Sequence, residues 1–181
     1  MQTTIFIVGY MGSGKSTVGR KMADMLGWKF IDTDFFIENR FRKRVADIFA
    51  DEGEAVFRRR ERVVIEELSG MEKTVIATGG GLPCHSDNMA LMNEVGLTLY
   101  LEVSDEVLAL RLELCKRTRP KVKDKTGAEL LAHVREEMAV RGELYRAARV
   151  VVNADELVTE EDETKLVIHI VEDLRAKGFL P

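Results

Sequence analysis

Residues 5–17 read IFIVGYMGSGKST, and the change of character halfway along this stretch decides how the rest of the chain is read. Thr4 to Val8 is a short run of β-branched and aromatic side chains, the composition of a strand covered on both faces. From Gly9 onward the sequence fits G-x-x-x-x-G-K-[ST], with Gly9, Gly14, Lys15 and Ser16 at the fixed positions and a further glycine, Gly12, inside. Glycine tolerates positive φ, so successive backbone N–H groups can turn toward one anion with no Cβ in the way. A helix from Ser16 to Leu26 brings its own unpaired N–H groups and the positive end of its dipole to the same point. The expected product is a phosphate cradle made by Gly12, Ser13, Gly14, Lys15, Ser16 and Thr17. Lys15 would sit against the β and γ phosphates of a nucleotide, and the Ser16 hydroxyl would ligate Mg²⁺. A flexible Gly/Ser turn is the plainer alternative, but it leaves unexplained why the motif lies between an apolar strand and an amphipathic helix.

The chain has 181 residues, enough for one substantial core and few for two, so one domain is expected. Hydrophobic residues make up 45% and charged residues 32%, which places the chain among soluble globular proteins and away from disordered ones. A net charge of -4 and a pI near 5.5 argue against a sequence-independent grip on nucleic acid or on an anionic membrane. No apolar run reaches the length of a membrane span, and the first residues lack the pattern of a secretory signal. A cytoplasmic protein with neither nucleic-acid nor membrane partners is expected. Cys84 and Cys115 lack metal-ligand spacing and are expected to stay reduced. Cys84 is followed by His85, but adjacency in sequence does not aim one side chain at the other.

Further strands are expected at Lys29–Asp32, 74–78, 97–103 and 149–153. Helical periodicity covers 35–40, 45–50, 54–68 and 83–95, then a segment from Ser104 and Asp105 to Cys115. Thr126 and Glu129 have the spacing of a capping box for a helix to about Ala147. The last helix carries Leu166, Val167, Ile170, Val171 and Leu174 on one face and stops at Gly178. Strands alternating with helices imply parallel pairing through right-handed crossovers, with helices on both faces of the sheet. Ligands in such sheets sit at the carboxyl ends of the strands. Three strand ends carry unusual chemistry: Gly9–Ser16, Asp32–Asp34 and Gly79–Gly81.

Asp32 and Asp34 are two apart, so from extended chain both can face a cleft. Phosphoryl transfer needs one carboxylate near Mg²⁺ and another to orient or deprotonate an acceptor hydroxyl. Read alone, the pair is better taken as an Asx turn that caps the next helix, and it is the coupling to the phosphate loop that reverses the preference. Arg58 follows Phe57 at the edge between buried and wet helix faces, with Glu61 and Arg62 at i+3 and i+4, and its planar fork suits a carboxylate. Arg59 and Arg60 read as a solvated charged face. Three glycines at 79–81 offer a ligand bare backbone. The basic loop 116–125 reads as a mobile cationic lid with Arg117 and Arg119 as its working residues. Arg141 and Tyr145, one helical turn apart, can turn another guanidinium toward the acceptor.

In order and approximate spacing, GYMGSGKST, FIDTD, EAVFRRRE, ATGGG, the RTRP lid and RGELYR resemble the shikimate kinase family over most of the chain. The resemblance implies an α/β, three-layer P-loop kinase of the nucleoside-monophosphate-kinase type, with five parallel strands in the order 2-3-1-4-5. It implies one domain over 1–181, with core 1–115 and 126–181, lid 116–125 and substrate-binding helices at about 34–68. It implies transfer of the γ-phosphate of ATP to the 3-hydroxyl of shikimate, with Mg²⁺ as cofactor, in aromatic amino-acid biosynthesis by a monomer. Lys15, Asp34 and Arg119 would be catalytic. Asp34 would bind the shikimate hydroxyls, Arg58 and Arg141 its carboxylate, and Gly79, Gly80 and Gly81 would line its pocket. Ser16 and Asp32 would order the metal shell, Arg117 would stack on adenine and Arg119 would reach the phosphates. The sequence departs from the family in a shortened lid, where Lys121 and Val122 replace leucines after the Arg-Pro, and in Tyr10, where a small residue is common.

A gluconate kinase shares the phosphate loop and takes a hydroxylated acid, but DTD together with FR and GGG favours shikimate. A guanine-reading switch would carry N-K-x-D, which the sequence lacks. A non-catalytic ATP-binding paralogue is disfavoured by the presence of Lys15, Asp34 and Arg58.

Overall fold

Phe6, Ile7 and Val8 are fully buried because the strand that holds them is the middle one of five. The computed structural model describes residues 4–115, 122 and 124–181. Its strands are β1 (Thr4–Val8), β2 (Lys29–Asp32), β3 (Thr74–Ala77), β4 (Leu97–Glu102) and β5 (Val150–Asn153). They form one parallel sheet in the order β2-β3-β1-β4-β5. The inner strands β1 and β3 are buried throughout and β4 as far as Leu101, whereas the edge strands β2 and β5 stay partly wet, as expected when only central strands are covered on both faces.

Eight α-helices flank the sheet among the described residues: α1 (Lys15–Leu26), α2 (Thr33–Phe41), α3 (Val45–Glu52), α4 (Glu54–Leu68), α5 (Asn88–Val95), α6 (Asp105–Cys115), α7 (Gly127–Arg146) and α8 (Glu160–Ala176). None is long and apolar enough to cross a membrane. α1 lies against β2, β3 and α8, and α6 packs along α7.

The register of the sheet gathers the chemistry. Ala77 stands beside both Ile7 and Asp32, so β1, β3 and β2 end in one row. The loop from Gly9, the helix from Thr33 and the glycines from Gly79 therefore leave the sheet side by side. Buried threonines fasten the row: Thr33 Oγ1 accepts from Gly79 N–H at 2.8 Å, and Thr78 donates to Ile7 O at 3.2 Å.

Two local expectations fail. The apolar periodicity over 83–95 resolves into a 3₁₀ turn at Leu82–Cys84, a break, and α5 from Asn88. Ser86 takes a left-handed φ of 53° and interrupts the helical ladder, while the Asn88 amide reaches back to Leu82 O at 2.9 Å. Thr126 does begin α7, but its side chain makes no capping hydrogen bond. The reciprocal box forms instead at α8, between Thr159 and Asp162.

Candidate active site

At the end of β1 the backbone turns through Gly12 (φ 83°) and Gly14 (φ 96°), conformations closed to most side chains. The Tyr10 carbonyl anchors the loop, accepting from Ser13 N–H at 3.2 Å and from Lys15 Nζ at 2.7 Å. The start of α1 has no side-chain cap and no acidic residue in its first turn. Its N–H groups and positive dipole end are thus left for an anion. Ser13 is buried, and its hydroxyl has no hydrogen-bond partner among the described residues. Thr17 is exposed in the first helical turn.

Asp32 fulfils both readings of its carboxylate. Oδ1 accepts from the N–H groups of Asp34 (3.0 Å) and Phe35 (3.5 Å), capping α2, while Oδ2 accepts from the Ser16 hydroxyl at 2.6 Å. This hydroxyl–carboxylate pair supplies the hard oxygen donors that Mg²⁺ takes alongside phosphate and water. Among the described residues no larger cluster of His, Cys, Asp and Glu could hold a metal ion.

Gly79 and Gly81 have side chains on their doorstep, and Gly80 has the backbone of the phosphate loop. A methyl group on Gly79 would lie 2.6 Å from Asp34 Oδ1 and 3.2 Å from Glu61 Oε1. One on Gly81 would lie 2.5 Å from Arg58 Nη1, and one on Gly80 would lie 3.4 Å from the Met11 nitrogen of the phosphate loop. Bare backbone is what lets an acid, a guanidinium and the phosphate loop converge.

Arg58 is less wet than its sequence position suggests. Its side chain is 14% exposed and lies beside the rings of Phe57 and Phe49, which pack on each other. Nη1 donates to Glu61 Oε2 at 2.6 Å, while Nε and Nη2 donate to Glu54 Oε1 at 3.1 and 2.6 Å. Three of its five N–H groups are used, which leaves two for a ligand. Glu61, read from sequence only as a helical neighbour, is a buried member of the site. Burial pushes its carboxyl up to about 7 against the opposing pull of Arg58, and Asp34 adds to the rise. Arg62 instead turns away to Glu66, Asp87 and Asn88.

On α7 the Arg141 side chain is 16% exposed, paired with Glu137, with its Cζ 5.7 Å from the centre of the Tyr10 ring. Tyr145 donates its hydroxyl proton to Gly80 O at 2.6 Å, stacks on Tyr100 and lies in range of Arg141 and Cys84. Cys84 is half-buried, and burial raises its thiol above the ordinary value despite Tyr145 and two arginines nearby, so it is no activated thiolate.

Arg111 has no motif to announce it. Its Nη2 donates to the carbonyls of Ala154 (2.7 Å), Asp155 (3.0 Å) and Leu157 (3.1 Å), holding the turn after β5. That turn borders the cradle: Leu157 Cδ1 would lie 3.1 Å from a methyl group on Gly14. Arg117 and Arg119 lie outside the described residues, and beyond them Val122 is buried.

A family profile described as shikimate kinase matches residues 11–174. The chain belongs to the shikimate kinase family. A shikimate kinase from Parabacteroides distasonis is 48% identical over 87% of this chain and 91% of its own length. The crystal structure of the shikimate kinase from Bacteroides thetaiotaomicron superposes with a TM-score of 0.92 at 40% identity, covering 96% of this chain and 98% of the other. The Acinetobacter baumannii shikimate kinase in complex with shikimate superposes at 0.85 with 31% identity, covering 98% and 95%. A gluconokinase from Sinorhizobium meliloti shares the fold, with a TM-score of 0.54 at 18% identity over 97% of each chain. The family membership thus sides with shikimate against gluconate, and against a paralogue without chemistry.

Proposed function

We propose that this enzyme transfers the γ-phosphoryl group of ATP to the 3-hydroxyl of shikimate, giving shikimate 3-phosphate for the chorismate and aromatic amino-acid route. The observation that carries the reading is the meeting of Asp34 and Arg58 on the Gly79–Gly81 backbone, against the phosphate loop. An acid with ring hydroxyls is what such a pocket complements, and the A. baumannii relative binds shikimate.

In this reading the cradle amides and Lys15 hold the terminal phosphates. On arrival of nucleotide the Lys15 ammonium exchanges the Tyr10 carbonyl for phosphate oxygens and stabilises charge there as the bond to the leaving group stretches. Asp34 orients the acceptor hydroxyl and takes its proton as the new P–O bond forms. Arg58 and Arg141 clasp the substrate carboxylate, fixing which hydroxyl faces the phosphate. Ser16 and Asp32 would hold Mg²⁺, which when bound neutralises charge on the phosphate oxygens. Residues 116–125 are assigned as a lid, with Arg117 over the base and Arg119 on the phosphates, and about 34–68 as the acid-binding helices of one domain. A cytoplasmic monomer is the accompanying reading: the two thiols form no disulfide, and the cytoplasm supplies ATP.

The test is a coupled assay of ADP release with shikimate and with gluconate, the phosphorylated product being identified by ³¹P and ¹H NMR. Turnover confined to shikimate, with the phosphate on the 3-oxygen, is expected. Turnover on gluconate alone overturns the reading.

A further inference from the structure

Tyr10 occupies two sites at once. Its carbonyl is tied into the phosphate loop by Ser13 N–H and Lys15 Nζ, whereas its ring is buried beneath the Arg141 guanidinium. A cation within about 6 Å of a ring centre is drawn to the negative face of the π-system, the more so where water is excluded. At 5.7 Å, with Arg141 16% exposed, both conditions hold. Tyr145, fully buried, is stacked on Tyr100 at 5.3 Å, hydrogen-bonded to Gly80 O and in range of Arg141. Gly80 in turn lies against the backbone of Gly9, Tyr10 and Met11. The contacts form a closed circuit: Tyr10 backbone, Gly80, Tyr145, Arg141, and back to the Tyr10 ring.

An arginine on a long flexible stem has many rotamers to lose on binding a carboxylate, and presetting one removes that cost from the binding step. Glu137 alone would draw the guanidinium out along its own helix. We infer that Tyr10 is a positioning residue, whose ring, together with the Tyr145 hydroxyl, presets the Arg141 guanidinium for the substrate carboxylate. The inference rests on the reading that Arg141 binds the acid. It gives the bulky residue at this point of the loop a purpose that phosphate binding does not require.

The ring's electrostatics can be altered without altering its volume. Phenylalanine and then mono-, di- and trifluorophenylalanine at position 10 drain the negative face in steps, and Tyr10→Leu removes it. The expected result is a KM for shikimate close to wild type for Tyr10→Phe and rising with each fluorine, by roughly 5- to 30-fold at the end of the series. KM for ATP should stay within about twofold, because the Tyr10 carbonyl is untouched. In an Arg141→Ala background the same series should be flat. A KM for shikimate indifferent to fluorination, while Arg141→Ala raises it, overturns the role of Tyr10 alone. A KM unmoved by Arg141→Ala overturns the underlying reading of Arg141. A fluorine dependence that persists without Arg141 shows a packing role only and also sinks the inference. Should Tyr10→Leu fail to fold, the isosteric series decides by itself.

Discussion

Arg58 and Glu61 form a 2.6 Å ion pair in which the acid is 1% exposed and the arginine faces the bare backbone of Gly81. Around the Glu61 carboxyl stand Arg58 and Glu54 from its own helix and Asp34 from α2. Burial raises it from 4.5 to about 7, so the folded state holds a proton that the unfolded chain has released. Stability from this group is therefore fully present below about 4.5, declines between about 4.5 and 7, and is gone above that. Glu61→Gln should flatten that part of the profile by about 1–3 kcal/mol relative to wild type. Urea melts of both proteins from pH 4.5 to 8 would show parallel profiles if Glu61 were already ionised throughout.

Gly79→Ala separates folding from chemistry. Gly79 does not have a left-handed φ, so alanine fits the backbone, and the clash falls on the far ends of Asp34 and Glu61. Those ends can swing, so the melting temperature should fall by only a few degrees, the shift of about 1 kcal/mol for a domain of this size. The acceptor-orienting carboxylate, however, is displaced. A misplacement of about 1 Å costs of order 10²-fold, and kcat/KM for shikimate should fall by that much. Melting curves beside steady-state kinetics check it; full activity in a well-folded variant would mean Asp34 is free to reposition and does not set the geometry.

How much of this was legible beforehand follows from where the information sits. The strands and the three chemical strand ends are short-range signals, an apolar run followed by glycines or carboxylates, and the structure keeps each in place, whereas the order of the strands in the sheet came only from the family resemblance, because it depends on long-range pairing. Asp32 and Asp34 were legible as a pair, but not the division of the Asp32 carboxylate between a helix cap and Ser16, because that depends on a residue 16 positions earlier. Glu61 and Arg111 were not legible as site residues. Each looks like an ordinary helix charge, and only tertiary packing buries the first and aims the second at three carbonyls. The helix break at Ser86 escaped because periodicity records apolar spacing and not φ.

Asp32→Asn tests the metal assignment without dismantling α2. Asparagine is as good an N-cap as aspartate, so the hydrogen bonds to Asp34 N–H and Phe35 N–H survive and stability should change by under about 1 kcal/mol. The charge that would face Mg²⁺ is lost. Half-maximal activity should therefore need roughly tenfold or more additional Mg²⁺, with KM for shikimate little changed. Titration of activity with Mg²⁺ at fixed ATP decides it. An unshifted Mg²⁺ requirement removes Asp32 from the metal shell and leaves it as the α2 cap.

Arg111→Ala probes the wall of the cradle that no motif marks. The guanidinium, which burial pushes down from its usual range, holds three carbonyls of the turn from Ala154 to Leu157. Without it those carbonyls lose their charged donor, at a cost of about 1–3 kcal/mol in stability. The turn should then loosen where Leu157 meets Gly14, on the nucleotide side, while the acid pocket on the far side of Gly80 keeps its own contacts. KM for ATP should rise about tenfold and KM for shikimate by less than about twofold, and Arg111→Lys, a single point donor in place of a fork, should fall between. Initial rates with each substrate varied in turn give both constants. Equal increases in the two would mean the turn after β5 supports the whole fold and has no particular part in holding the nucleotide.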